Sequence, residues 1–597
     1  MKNKKALLIY SIFSLFLAYS IIHLILFPGE KNFSSIWRYA FPPKRGSITD
    51  SNGKTLAADD YEYKAYLDIR FLRTVLKTSN QERYEEISRK VAILLRNFDL
   101  ETQAASILNS GDSFLFLGSF KEKDEIVRRI PPGFLPFISI NITTKRFKTS
   151  EYSLGSLIGT VVDGKGVGGV EGFCDEKLRG KKDGEIIVAM SRFPRMAPII
   201  KRIIPPIDGN NIALSIDYDI QSMVYLEILR KVVETSADAG GAIVMETKTG
   251  KIKAMVTTRN WNNNIMGIIE PGSSIKPIVY AVALETQTAT EGFEHHCTGK
   301  IKPVEDLNIY IGDVRSHGDV DFKKALIVSC NTATVKIAEL LKEKIGEKGM
   351  YEWLKKFGFG TKTGIEIAGE VGGLFRDYKK WSAIDFAEIS IGQGIGVTPL
   401  QLIAALNTIF NNGVYVKPSV IKDSEKVEKR ILSERVADEI RDILKDVVEV
   451  GTGELAKVPG VKIAGKTGTA QKARAGGYNK KSYYSIFIGS FPADNPKYTI
   501  LVYIDNPKMG EYLGGEVAAP VFANIVRNII KMKKTAPLVV YRDVVPDLRG
   551  LSLKDVLYIK KHFGFDVKIH GTGIVSTQKP EPGSLNTRHI EVWLKEP

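Results

Sequence analysis

The run Ala6 to Phe27 limits what this chain can become more than any other stretch. It contains no Asp, Glu, Lys or Arg, and His23 is its most polar member. At ~1.5 Å per residue it reaches roughly 33 Å, enough to cross a bilayer. Lys2, Lys4 and Lys5 precede it, which keeps the N-terminus cytoplasmic and sends the rest outside. A cleaved signal peptide is the rival, but this run exceeds a usual h-region and no clear A-x-A site follows. The expectation is an uncleaved, single-pass anchor in the cell (inner) membrane with an extracytoplasmic body.

That body is large. A chain of 597 residues holds several domains, and 44% hydrophobic with 25% charged residues is ordinarily globular. The net charge of +16 is spread along the chain, so it reads as a solvated basic surface and not as a nucleic-acid footprint. The three cysteines Cys174, Cys297 and Cys330 are far apart and odd in number, which is no disulfide framework. His295-His296-Cys297 has adjacent candidate ligands and no second cluster, a poor match to zinc spacing. No metal and no cofactor is expected.

In chain order, residues 28–44 read as a linker. Ile48 and Leu56 flank an Asp50-Ser51-Asn52-Gly53 turn, a hairpin signal. Residues 58–200 mix amphipathic helices, such as Asn80 to Leu95, with short strands, and glycines cluster from Gly164 to Gly184. Prolines 194, 198, 205 and 206 mark a boundary. Beyond it come a helix over Asp219 to Thr235, capped by Asp217 or Asp219, and a hairpin of Gly241 to Glu246 with Lys251 to Thr257. Helices follow over Ile278 to Glu285, Asp321 to Val328, Thr332 to Lys344 and Thr398 to Phe410. Val461 to Ala464 is a short strand, Tyr483 to Phe491 and Tyr498 to Ile504 are paired strands, and Pro520 to Met532 is a closing helix. The tail from Val544 to Leu594 is a small separate module with a helix over Ser552 to Phe563. The fold class is α+β, multidomain.

Chemistry concentrates in Glu270-Pro271-Gly272-Ser273-Ser274-Ile275-Lys276-Pro277. Pro277 suits a first helical turn, which puts Ser273 at the helix start. Residues i and i+3 share a helix face, so Lys276 can reach Ser273 and not Ser274. A lysine of lowered pKa can activate a serine hydroxyl. The bland alternative is a helix start with a solvated lysine. Lys-Thr-Gly occurs at 248–250, 362–364 and 466–468. The first is a hairpin turn and the second a polar loop. The third follows a strand, with Lys466 and Gly468 on one face and Thr467 and Thr469 on the other. Gly460 to Thr467 also matches a phosphate-binding loop literally, but Pro459 precedes it and Gly468 follows at once, so a strand–loop–helix unit does not fit.

Ser273-x-x-Lys276, Ser329-x-Asn331 and Lys466-Thr467-Gly468 in this order form a mutually supporting set. With it the chain resembles the class B penicillin-binding proteins, the monofunctional peptidoglycan transpeptidases. Arg45 to Asp50 with Asn52-Gly53, and Gly169-Val170-Glu171 with Leu178-x-Gly180, look like the family's N-terminal motifs. Gly392 to Gln401 and Gly465 to Ala470 look like its transpeptidase core. Val545-Pro546-Asp547-Leu548-x-Gly550 with Gln578 to Gly583 looks like a PASTA module. The single PASTA tail suggests the septal or sporulation (FtsI/SpoVD-like) branch. Cys330 at the centre of S-x-N departs from the small or polar residue often found there.

The resemblance implies four parts: an anchor (1–27), an N-terminal pedestal of mixed α/β structure (28–206), a transpeptidase domain with an antiparallel sheet between helices (207–534) and a small α/β PASTA module (543–597). It implies stem peptides ending in D-Ala-D-Ala and β-lactams as ligands, the membrane and a divisome FtsW-like glycosyltransferase as partners, and no nucleic acid. Ser273 is then the nucleophile, Lys276 its base made less basic by Lys466, and Ser329 a proton relay. Asn331 holds the substrate amide, and Lys466 with Thr467 binds the terminal carboxylate. Gly468 lies at the substrate strand, and the N–H groups of Ser273 and Thr469 form the oxyanion hole. The alternatives are a D,D-carboxypeptidase or β-lactam-hydrolysing relative, and a non-catalytic wall-binding scaffold.

Overall fold

The computed structural model describes residues 33–191, 199–289, 292–474 and 477–534, and in the tail mainly 565–581 and 589–595 with scattered positions from 545 to 560. The anchor expected over Ala6 to Phe27 and the helix expected over Ser552 to Phe563 lie wholly or largely outside these residues. Among the described residues, no helix is long and apolar enough to cross a membrane.

The chain makes two units that interleave in sequence. One comprises residues 1–47, 57–147 and 176–211, the other 48–56, 148–175 and 212–597. In the first, the strand beginning at Thr55 pairs antiparallel with Phe114–Phe120, Tyr63 opposite Phe120. The helix Gln81–Asn97 is capped by the Asn80 side chain, which accepts from the Arg83 N–H. Its buried face, Ile87, Val91, Leu94 and Leu95, packs into a core with Leu67, Leu72 and Phe134, the i, i+4, i+7 stripe of an amphipathic helix. Part of the expected linker is a strand instead. Phe33–Phe41 pairs with Gly184–Ser191, which pairs in turn with Ile199–Ile204. The aromatic residues Tyr39 and Phe41 favour that conformation, and proline count alone concealed it.

The second unit is built on one five-stranded sheet. Helix α1 (Tyr218–Glu234) is capped by Asp217, which accepts from the N–H groups of Asp219 and Ile220. Strands β1 (Ala239–Glu246) and β2 (Ile252–Thr257) form the expected hairpin. Helix α2 spans Lys276–Glu285. A short strand, β3 (Glu294–Cys297), pairs with β4 (Gly318–Asp321), and helix α3 (Phe322–Ile327) follows. Helix α4 runs over Asn331–Lys356 with a kink at Gly346. Helix α5 (Pro399–Phe410) opens on a capping box of Thr398 and Gln401, and α6 spans Glu434–Glu449. Strands β5 (Ala464–Arg474), β6 (Gly477–Phe491) and β7 (Tyr498–Asp505) complete the sheet before helix α7 (Gly514–Lys534).

The sheet order is β2-β1-β7-β6-β5, with every neighbouring pair antiparallel. Its core gathers Ile228 of α1, Val244 of β1, Phe487 of β6, Val502 of β7 and Phe522 of α7. Two expectations shift here. The strand placed at Val461 to Ala464 begins at Ala464 and carries Lys466-Thr467-Gly468 within it. The closing helix begins at Gly514 and contains Pro520. Because β5 runs on as strand past Thr467, the stretch from Gly460 is not a strand–loop–helix phosphate cradle. The tail sheet places His589–Lys595 between Asp566–His570 and Ile574–Lys579, over a small core including Val567, Val575 and Val592.

Candidate active site

Ser273 does not begin the α-helix. It sits in a 3₁₀ turn, Gly272–Ile275, that runs into α2, with Pro277 in the first helical turn as its missing N–H requires. Glycine makes that turn possible. Gly272 has φ 52°, and a Cβ there would lie 2.7 Å from the Thr469 carbonyl oxygen. Its N–H donates to Gly392 O at 3.0 Å, and the Gly394 N–H donates to Glu270 Oε1 at 2.9 Å. The glycine-rich stretch before α5 therefore cradles the serine turn.

The two adjacent serines separate cleanly. Ser274 is fully buried, and its hydroxyl donates to Pro271 O at 2.6 Å. Ser273 stays half-exposed, and its hydroxyl makes no hydrogen bond among the described residues. That is the state expected of a nucleophile awaiting a substrate.

Lys276 is fully buried. Its Nζ donates to Ser329 O and to Asn331 Oδ1, both at 2.7 Å, and lies 3.4 Å from Ser329 Oγ. Lys466, also fully buried, reaches in from β5 and donates to Ser329 Oγ at 2.9 Å and to Thr467 O at 3.1 Å. The Ser329 hydroxyl thus stands between two ammonium groups. Its backbone is in the left-handed region, φ 59°, an uncommon position for a side-chain-bearing residue and one found at functional sites. Burial lowers Lys276 to about 8. Burial, and then the charge of Lys276, hold Lys466 well below the usual lysine range. The expected direction of influence is thereby corrected: desolvation, and not Lys466, makes Lys276 less basic.

Strand β5 is an edge of the sheet, so its outer backbone groups are open to an added strand. A Cβ on Gly468 would meet Pro271 O at 2.9 Å and Ser274 Cβ at 3.1 Å, so glycine lets the edge approach the serine turn. Thr467 Oγ1 lies 2.8 Å from Thr452 Oγ1 and 3.4 Å from Lys466 Nζ. Thr469 Oγ1 accepts from the Gly514 N–H at 3.0 Å. Lys276, Ser329, Asn331 and Lys466 therefore converge, with Gly468 close against the turn that carries Ser273. Lys276 Nζ is hydrogen-bonded to Ser329 and Asn331 and not, as the helix spacing suggested, to Ser273. The threonine hydroxyls are tied to Thr452 and Gly514.

Sequence reasoning missed Asp313. Its carboxylate accepts from the N–H groups of Asn331 at 2.6 Å and Thr332 at 3.0 Å. With Gly312 O, which accepts from Asn331 Nδ2 at 2.7 Å, it fixes the start of α4. A single aspartate in an irregular loop carries no local signal of that role.

A strand edge, a serine turn and two buried lysines around one hydroxyl define a serine acyl-transfer site on an α+β scaffold. The family model "Penicillin binding protein transpeptidase domain" matches residues 240–527, and "PASTA domain" matches 543–595. The chain is 28% identical to Stage V sporulation protein D of Bacillus subtilis, covering 93% of this chain and 90% of that one. It is 31% identical to peptidoglycan D,D-transpeptidase FtsI of Buchnera aphidicola, covering 83% and 87%. The crystal structure of penicillin binding protein 2X from Streptococcus thermophilus matches with a TM-score of 0.67 at 19% identity, over 94% of this chain and all of that one, a likeness of fold. The chain belongs to the class B penicillin-binding proteins, the family of the peptidoglycan D,D-transpeptidases.

Proposed function

We propose that this protein is a membrane-anchored serine D,D-transpeptidase that cross-links peptidoglycan stem peptides in septal wall synthesis. The convergence of Lys276, Lys466 and Asn331 on the Ser329 turn, beside the half-exposed Ser273, carries the reading. Ser273 Oγ attacks the carbonyl of the penultimate D-Ala while neutral Lys276 takes its proton. Ser329, in contact with both lysines, passes a proton to the departing D-Ala amine. Lys466 and the Thr467 hydroxyl hold the terminal carboxylate, Asn331 holds the substrate amide, and the stem peptide lies along Gly468 of β5. The N–H groups of Ser273 and Thr469 stabilise the tetrahedral oxyanion, a contribution of ~3 kcal/mol per donor. An amine from a neighbouring stem then takes the acyl group, and a β-lactam occupies the same path and stays on Ser273.

The septal assignment is supported by the names of the FtsI and sporulation relatives and by the PASTA match. Anchoring is supported by the apolar run Ala6 to Phe27, and the FtsW-like membrane partner is what the family resemblance implies. In this reading residues 28–206 are the pedestal, 207–534 the catalytic domain and 543–597 the PASTA module. The test is intact mass after incubation with benzylpenicillin. A stable adduct that maps to Ser273 and is lost in Ser273→Ala is expected. Fast drug turnover without adduct points to the hydrolase, and neither adduct nor turnover to the scaffold. Cross-linked product that depends on an added amine acceptor separates transpeptidation from carboxypeptidation.

A further inference from the structure

We propose that Cys297, Asp313, His317 and Cys330 form a zinc site that pins the turn carrying Ser329 and Asn331. The sequence offered His295-His296-Cys297 as the only hint of a metal, and the structure takes the histidines elsewhere. His295 Nε2 lies 3.0 Å from Thr332 Oγ1, and His296 Nδ1 lies 2.6 Å from Asp319 Oδ1. Cys297 instead faces three residues distant in sequence, and the four potential donor atoms all lie within 4.8 Å of one another.

Three of the spacings fall in the range of a tetrahedral site and a fourth is slightly longer. Cys297 Sγ is 3.4 Å from Asp313 Oδ2 and 3.6 Å from His317 Nδ1. Cys330 Sγ is 3.3 Å from the same Oδ2, and His317 Nδ1 is 4.0 Å from it. A tetrahedral zinc with Zn–S near ~2.3 Å and Zn–N or Zn–O near ~2.0 Å sets its ligand atoms roughly 3.3–3.8 Å apart. Two sulfurs, one imidazole and one carboxylate are the donor types zinc takes, and they disfavour magnesium and calcium. The cluster is also dry. Both cysteines are fully buried, and the His317 and Asp313 side chains are 8% and 2% exposed.

The surroundings suit bound ligands. Cys330 caps α4, and its sulfur accepts from the Ala333 N–H at 3.4 Å. Asp313 is oriented by the Asn331 and Thr332 N–H groups, the kind of outer contact that fixes a ligating carboxylate. Four protein ligands leave no open position, so the zinc is structural and not hydrolytic. It ties the end of β3, the loop before β4 and the start of α4 together. Cys330 lies between Ser329 and Asn331, so the metal holds Ser329 in its left-handed backbone conformation and Asn331 against Lys276. The metal site stands apart from the transpeptidase reading; only its effect on acylation rests on it.

The test uses the full chain purified in detergent with reductant and without chelator. Elemental mass spectrometry is expected to find close to one zinc per chain, falling at least tenfold in a Cys297→Ser/His317→Ala variant. Because that variant risks misfolding, the wild-type chain is also stripped by chelator and reloaded with Co²⁺, which should give thiolate-to-cobalt charge-transfer bands and intense tetrahedral d–d bands. Stripping should slow acylation by benzylpenicillin about tenfold or more, as displaced catalytic groups do, with recovery on Zn²⁺ and not on Mg²⁺. Sub-stoichiometric metal together with no cobalt–thiolate spectrum would overturn the site. So would a Cys297–Cys330 disulfide in the protein as isolated. A metal bound with no change in acylation would leave the zinc and overturn its positioning role.

Discussion

Two clusters of buried charge, one in each unit, are handled in opposite ways. In the first, Arg146 Nη1 meets Asp59 Oδ1 at 3.1 Å with the side chains 9% and 6% exposed, and Asp59 Oδ2 accepts from the Arg45 N–H at 2.8 Å. Each charge has an opposite charge or a donor beside it. In the second, Lys276 and Lys466 are both fully buried around one hydroxyl, and among the described residues neither forms an ion pair. A fold seeking only stability pairs its buried charges or omits them. Burial lowers the proton affinity of both lysines, the charge of Lys276 lowers that of Lys466 further, and a lysine so lowered can act as a base. The comparison separates structural charge from chemical charge without reference to any motif.

Substitution should break the two arrangements differently. Lys276→Met should cut the rate of benzylpenicillin acylation by ~10²–10⁴-fold, the contribution typical of a positioned base. It should leave the unfolding midpoint of its unit unchanged or higher, since a buried charge is removed. Arg146→Met should do the reverse, costing about 3–5 kcal/mol by stranding Asp59 while acylation per folded molecule stays the same. Equal stability losses in the two variants would erase the distinction.

The pH profile sharpens it. Lys276 is a base only when neutral, and burial lowers it to about 8. Acylation should therefore climb as pH rises from 6 through about 8 and then level off. Stopped-flow acylation with a chromogenic cephalosporin reads this directly, and Lys276→Met should lose the rise. A rate that falls over that interval would assign the proton to a different group.

Two smaller effects probe the strand edge. Gly468→Ala places a methyl 2.9 Å from Pro271 O. It should cost ~1–3 kcal/mol by overpacking and slow acylation by separating β5 from the serine turn. Thr452→Val removes the 2.8 Å contact with Thr467 Oγ1. Because Thr452 is exposed, it should cost at most ~1 kcal/mol, with a modest rise in the substrate concentration needed for half-maximal rate.

Much of the fold was written locally. Asp217 capping α1, the β1–β2 hairpin around Lys248-Thr249-Gly250, Thr398-Pro399 opening α5 and Pro277 in the first turn of α2 all follow from preferences that act within a few residues. The set Ser273, Lys276, Ser329, Asn331 and Lys466 was legible for a different reason, the order of three short motifs that resembles the penicillin-binding family. Where neighbours alone were misleading, tertiary pairing decided. Phe33–Phe41 became a strand because Gly184–Ser191 lies beside it. Lys466-Thr467-Gly468 lies inside a strand because β6 hydrogen-bonds along it, Lys466 opposite Ile488.

The sequence by itself determined which residues are available for chemistry, and that Lys276 shares a turn with Ser273. It did not determine that Lys276 Nζ rests on Ser329 and Asn331, 53 and 55 positions away, or that Lys466 joins them across 137 positions. Nor did it show that Asp313 caps α4, or that Cys297 faces Cys330. Those contacts close long loops, whose entropy is repaid only when the sheet and its helices pack as a whole. Desolvation of the two lysines is a property of that packing, so the chemistry of the site exists only in the folded molecule.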